Sequence, residues 1–372
     1  MFDPTPLASP YVRTLAPYVP GKPLEELERE YGIRDSIKLA SNENPLGPGP
    51  MARAAIAKAA AEIGLYPDGN GFALKQALAS KHRCSIEQIT LGNGSNDVLV
   101  MLAEAFLTTD SEAVYSQYAF AVYPIVVQAA GATAKVAQAF PESHAMALGH
   151  DLDALAALVN DRTRLVFIAN PNNPTGTWVE ADALRRFIAS MPATTLVIVD
   201  EAYIEYVEDD SFADSSCWLD EFPNLVVTRT FSKAFGLAGL RVGYALSHPS
   251  VAGLMNRVRQ AFNVNSIALA AARAALDDRE HLQQSIATNR DGMTQLEQCL
   301  DRLPVRRYPS RGNFILINCN RPAHIVYDAM LRQGVIVRPV GSYQLPNHLR
   351  LTIGTHAQNQ RMLDALERAL SS

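Results

Sequence analysis

At 372 residues, 48% of them hydrophobic, the chain carries enough apolar material for a large core and two or three domains. A net charge of −5 and the lack of a concentrated Lys/Arg block argue against nonspecific nucleic-acid binding. No apolar stretch reaches membrane-spanning length, the Met-Phe-Asp-Pro start lacks a signal-peptide pattern, and Cys84, Cys217, Cys299 and Cys319 lack metal-ligand spacing, so a cytoplasmic protein with reduced thiols and no metal is expected.

Residues 1–41 are Pro-rich and read as an arm followed by a short helix with Leu24, Leu27 and Tyr31 on its apolar face. From 42 to 250, strand-like runs alternate with helical ones such as Met51 to Ile63, Asp97 to Phe106 and Glu180 to Ser190, as a doubly wound, mostly parallel sheet requires. Ile89-Thr-Leu-Gly92 enters the turn Gly92-Asn-Gly-Ser-Asn-Asp97 ahead of a buried helix. Backbone donors at such a helix start can cradle a phosphate, although Gly92 and Gly94 taken alone only shape a bend. Leu165-Val-Phe-Ile-Ala169 breaks into Asn170-Pro-Asn-Asn-Pro-Thr-Gly176, and Leu196-Val-Ile-Val199 runs into Asp200-Glu-Ala-Tyr203. Leu225-Val-Val-Thr-Arg229 leads into Thr230-Phe-Ser-Lys233. Parallel strands put their carboxyl ends on one edge, so Asn173, Asp200, Tyr203 and Lys233 are expected to converge there. Residues 251–372 open with helical stretches from Val251 to Leu276 and Glu280 to Leu303. A smaller α/β layer follows in Gly312 to Asn318, Ala323 to Gln333, Val335 to Arg338, Leu349 to Ile353 and Asn359 to Leu370.

These residue types suit pyridoxal phosphate. A lysine desolvated beside a strand end can attack an aldehyde, which assigns Lys233. A carboxylate at Asp200 keeps a pyridine nitrogen protonated, and Tyr203 and Asn173 offer donors for the ring's phenolic oxygen. Thr230, Ser232 and Arg241 supply donors for a phosphate. Each has an ordinary explanation by itself: a surface lysine, a helix cap, a turn former. Four such residues arriving in order at one sheet edge favour the chemical reading.

The stretches Leu39-Ala-Ser-Asn-Glu-Asn-Pro-Leu-Gly47, Tyr66-Pro-Asp-Gly69, Gly92-Asn-Gly-Ser-Asn-Asp97, Asn170 to Gly176, Asp200 to Tyr203, Thr230 to Lys233 and Leu349-Arg-Leu-Thr-Ile-Gly-Thr355 span nearly the whole chain. Through them the chain resembles the fold-type I pyridoxal-phosphate aminotransferases, and within that group it is similar to the histidinol-phosphate aminotransferases. The resemblance implies a large doubly wound domain, a smaller α/β C-terminal domain, and a homodimer with shared active sites. It implies that Lys233 forms the aldimine with the cofactor and shuttles a proton, that Asp200 pairs with the pyridine nitrogen, and that Tyr203 and Asn173 hold the phenolic oxygen. Ser95, Asn96, Thr230, Ser232 and Arg241 would hold the phosphate, joined by Tyr66 from the neighbouring subunit. Phe120, in Gln117-Tyr-Ala-Phe-Ala-Val-Tyr123, falls where the family stacks a ring on the cofactor, with Tyr118 as the rival for that place. Tyr18, Asn173, Arg338 and Arg350 match positions that bind substrate. The implied reaction exchanges an amino group between L-histidinol phosphate and 2-oxoglutarate, in histidine biosynthesis. An aromatic amino-acid aminotransferase, a phosphoamino-acid decarboxylase and a noncatalytic ligand sensor stand as alternatives, the last without a DNA-binding module left over in the chain.

Overall fold

The computed structural model describes residues 2–209 and 211–371, so Met1 and Ser372, the outer ends of the expected arm and C-terminal domain, lie outside it, as does Asp210. A seven-stranded sheet forms its centre, in the spatial order Ile89–Gly92, Gly243–Ser247, Leu225–Thr230, Leu196–Asp200, Thr163–Ala169, Glu112–Ser116 and Thr133–Ala137. Every pairing is parallel except the two made by Gly243–Ser247. That strand is reversed for a local reason. Leu225–Thr230 delivers the chain to the sheet's carboxyl edge, residues 231–242 turn around there, and the neighbouring return strand must run back antiparallel.

The central strands read as continuous apolar runs because both faces are covered. Val166, Ile168, Val197, Val199 and Val227 pack on one face against Leu74, Leu184, Phe187 and Ala272. Leu165, Phe167, Ile198 and Val226 pack on the other against Leu99, Tyr123, Val126 and Met255. A four-stranded antiparallel sheet forms the smaller layer, in the order Arg338–Pro339, His348–Thr352, Phe314–Asn318 and Arg306–Arg307. Helices Arg279–Leu300, Ala323–Leu331 and His356–Ser371 contribute Leu296, Val326 and Met362 to its core. The N-terminal helix Leu24–Tyr31 buries Leu27 against Ala40, Leu331 and Ile336, and ends at Gly32 in the left-handed region.

Two expected elements are divided. The helical stretch from Val251 to Leu276 is Pro249–Val258 followed by Ser266–Ala275. Between them Asn263 turns its amide to the Leu91 carbonyl and to Asp97, and Asn265 caps the second helix through Ala268 N. Short polar side chains that bond backbone groups compete with helix continuation. The strand expected from Val335 to Arg338 serves two sheets: Val335–Ile336 pairs with Ile37–Lys38, whereas Arg338–Pro339 pairs with His348–Thr352.

Candidate active site

A cleft of about 310 Å³ opens at the carboxyl edge of the large sheet, closed on its far side by Arg338 and Arg350 of the smaller sheet. Of the fourteen residues singled out from the sequence, Tyr18, Ser95, Asn96, Phe120, Asn173, Asp200, Tyr203, Thr230, Ser232, Lys233, Arg241, Arg338 and Arg350 line it. Tyr66 does not: it is 83% exposed and stacks on Phe262, with ring centroids 4.7 Å apart.

Lys233 follows strand Leu225–Thr230, and its Nζ donates to the Ser41 carbonyl at 3.1 Å. Burial, and secondarily the Arg350 guanidinium, push its ammonium down to about 7, while Glu43 and Asp200 pull the other way. Asp200 ends strand Leu196–Asp200 and is buried. Tyr123 donates its hydroxyl to Oδ2 and Thr228 donates to Oδ1, both at 2.9 Å. Burial raises the Asp200 pKa; the two hydroxyls and Lys233 act against it. No salt bridge reaches this carboxylate among the described residues, so a cation on the cleft side would complete its solvation.

Tyr203 sits over the same floor, its hydroxyl accepting from Asn42 Nδ2 at 2.9 Å. Burial pushes the phenol up to about 12, opposed by Arg350, so it is a neutral donor. Asn42 is itself fixed by Thr352, which donates to its Oδ1 at 3.0 Å, and by Asn313, which donates to its carbonyl at 3.0 Å. Asn173 accepts from Arg350 through its side-chain oxygen, which leaves its amide N–H groups for a ligand.

The opposite end of the cleft is an anion cradle. Helix Ser95–Phe106 points its amino end into it after Gly94, whose φ is +80°. Arg241 Nη1 donates to Ser232 Oγ at 3.2 Å, and Ser232 N donates to Thr230 Oγ1 at 3.1 Å. A Cβ on Gly94 would lie 2.4 Å from Arg241 Nη2, and one on Gly243 would lie 2.4 Å from Ser95 N. Missing side chains at these two positions are what let strand edge, helix start and guanidinium crowd together. Pyridoxal phosphate needs an amine for its aldehyde, a carboxylate for its pyridine nitrogen, donors for its phenolic oxygen and several donors for its phosphate. The cleft holds each of these groups.

Beyond the cofactor groups, Arg338 and Arg350 face each other across paired strands. Arg350 is buried, donating to Asn173 and to the Ala40 carbonyl at 2.6 Å, and its Nε has no hydrogen-bond partner among the described residues. Arg338 donates to the Val19 carbonyl at 2.7 Å and lies over the Tyr18 ring. Phe120 borders the cleft, whereas Tyr118 packs against the cluster of Leu148, Tyr308 and Val340.

The sequence reading passed over Asn42, Tyr123 and Thr228. Asn42 and Tyr123 stood inside quoted motifs, so their types were visible; what each touches depends on residues 161 and 77 positions away. Thr228 lies within an apolar strand run, where nothing local marks it.

A strand-end lysine, a buried carboxylate and a helix-start phosphate cradle on a mostly parallel sheet define a fold-type I pyridoxal-phosphate-dependent transferase. The chain matches the family described as aminotransferase class I and II over residues 34–366, and it belongs to that family, in the branch of the histidinol-phosphate aminotransferases. It is 55% identical to histidinol-phosphate aminotransferase 2 of Pseudomonas fluorescens, over 98% of each chain. Identity to histidinol-phosphate aminotransferase 2 of Pseudomonas aeruginosa is 54% over 100% of both. The crystal structure of histidinol-phosphate aminotransferase from Sinorhizobium meliloti in complex with pyridoxal-5'-phosphate is 29% identical and superposes with a TM-score of 0.89, covering 98% of this chain and 97% of that one.

Proposed function

We propose that this chain exchanges an amino group between L-histidinol phosphate and 2-oxoglutarate in histidine biosynthesis, as a cytoplasmic homodimer. The observation that carries the substrate assignment is the pair Arg338 and Arg350. Like charges directly opposite across strands destabilise a sheet, and neither guanidinium has a carboxylate partner among the described residues. A dianionic phosphate ester relieves that repulsion and supplies acceptors for the unpartnered Nε of Arg350. The names of the relatives at 55% and 54% identity support the same substrate.

When bound, pyridoxal phosphate supplies an aldehyde and a ring that draws off the electron pair left as the substrate carbon loses its proton. The chain's residues do the rest. Lys233, its basicity lowered, takes a proton at the amine-bearing carbon and returns it one position away. Asp200, its carboxylate fixed by Tyr123 and Thr228, would pair with the ring nitrogen. Tyr203 and Asn173 donate to the phenolic oxygen. Ser95, Asn96, Thr230, Ser232 and Arg241 would hold the cofactor's phosphate, and Phe120, which borders the cleft, would pack against the cofactor. Arg350 and Arg338 orient the amino donor, with Tyr18 over the second. We read the chain as an arm with a short helix at 1–41, a cofactor domain at 42–250, and connecting helices plus a small domain at 251–372, of which Pro249–Val258 and Ser266–Ala275 pack on the large sheet through Met255 and Ala272.

Support for the dimer lies in exposed apolar residues around Tyr66. Ile63, Leu65, Phe72 and Phe262 are between 45% and 75% exposed, a patch that a second copy would cover. For the compartment, the four free cysteines agree with a reducing environment. No helix of the described residues is long and apolar enough to cross a membrane.

The test of substrate is Arg338→Ala in two half-reactions. Loss of a charge-assisted contact costs about 1.5–3 kcal/mol, roughly ten- to a hundredfold in kcat/KM. That loss is expected with L-histidinol phosphate and largely absent with glutamate. Equal losses would remove the phosphate from Arg338.

A further inference from the structure

One acidic side chain in the cleft acts on the chemistry above only through its pull on the Lys233 ammonium. Besides the buried Asp200, Glu43 is the acidic residue among the described lining, whose other charged groups are Lys233, Arg241, Arg338 and Arg350. Its backbone is pinned on both sides. Ser41 accepts from Lys233, Asn42 is tied to Tyr203, Thr352 and Asn313, and Asn44 Nδ2 donates to the Ala234 carbonyl and to Ser285 Oγ, both at 2.8 Å. Among the described residues the Glu43 carboxylate, by contrast, is held only by Lys38, at 3.3 Å, with 44% of the side chain exposed. An ion pair this exposed contributes little and is readily exchanged. The carboxylate is therefore accurately placed and weakly committed.

This inference rests on the function proposed above and extends it to the third part of the amino donor. The arginines take the phosphate and Lys233 serves the amine-bearing carbon, which leaves the imidazole ring. Among these walls it meets a strongly cationic lining with one available carboxylate. A Cβ on Gly21 would lie 3.5 Å from Ser41 Oγ and 3.7 Å from Arg338 Nη1, so the segment carrying Glu43 and the arginine share one wall. Imidazole always offers at least one N–H, and with an ordinary pKa of about 6.5 it is partly cationic near neutrality. We propose that Glu43 accepts the imidazole N–H of the amino donor and is the residue that ranks this donor above one carrying an apolar ring. A site built to bond a substrate N–H discriminates strongly against an analogue that lacks it.

The experiment compares kcat/KM of the holoenzyme for L-histidinol phosphate and for L-phenylalaninol phosphate, which keeps amine and phosphate and replaces imidazole by phenyl. Glu43→Ala should lower the first by about tenfold or more and leave the second within about threefold. Any effect of Glu43 on Lys233 acts on both donors and cancels in the ratio. Lys38→Met, which removes the ion-pair partner and keeps the carboxylate, should preserve the preference for imidazole. Cofactor loading is read from visible absorption; should Glu43→Ala fail to load, Glu43→Met, which keeps the bulk and removes both acceptor oxygens, carries the same ratio. Proportional losses with both donors, or a Lys38→Met preference as low as that of Glu43→Ala, would overturn the role of Glu43. A wild-type enzyme inert toward both phosphates would overturn the proposed function instead.

Discussion

Lys233 occupies a place that disfavours its own charge, and the consequence reaches beyond catalysis. Its folded pKa, about 7 without cofactor, lies below the 10.5 of a free lysine. Below pH 7 both folded and unfolded chains hold the proton, and the folded one bears the full penalty of a buried charge. Between pH 7 and 10.5 the folded chain releases the proton first, so the penalty fades as pH rises. Lys233→Met should therefore stabilise the cofactor-free protein by about 4–5 kcal/mol at pH 6 and hardly at all near pH 10.5, measured from urea midpoints. A gain independent of pH would show that the lysine is not strained by charge. The same substitution should reduce turnover by roughly a thousandfold or more, since no other base lies at that position.

At the scale of elements, the phosphate cradle depends on a close approach that only glycine permits. Gly243 starts the reversed strand opposite both Thr230 and Gly92, and a Cβ there would also lie 2.8 Å from the Arg229 carbonyl oxygen. The clashing atoms are backbone and cannot swing aside. Gly243→Ala should push the start of helix Ser95–Phe106 outward, destabilise the fold by about 1–3 kcal/mol and weaken cofactor binding at least tenfold, read by equilibrium dialysis. Unchanged cofactor affinity would mean the helix start is not part of the cradle. Much of this architecture was legible in sequence. Apolar runs ending in Asn170, Asp200 and Thr230 located three strands and the edge where their side chains meet, because buried parallel strands and their polar ends differ sharply in composition. Less legible were strands such as Thr133–Ala137, an exposed edge with Lys135 in it, and the break at Asn263. The partners of Asp200 escaped for a related reason: Tyr123 and Thr228 acquire their roles only when separate elements pack.

For the whole molecule, the position of Tyr66 is the decisive feature. Exposed on its own chain and not among the residues that line its own cleft, it is proposed to serve a neighbour's. Mixing Lys233→Ala subunits with Tyr66→Phe subunits should restore activity above that of either alone, because a hybrid dimer holds one cleft with both residues intact. A fully active monomer in sedimentation at assay concentration would contradict this. Whether the assembled cleft takes its amino group from L-histidinol phosphate is decided by a single-turnover experiment. Stoichiometric L-histidinol phosphate is mixed with the wild-type holoenzyme and the cofactor's visible absorption is followed as it converts to the aminated form. Rapid, complete conversion, with at least a hundredfold lower kcat/KM for L-phenylalanine, is the predicted result. An absorption left unchanged by L-histidinol phosphate, while phenylalanine converts it, would contradict the claim.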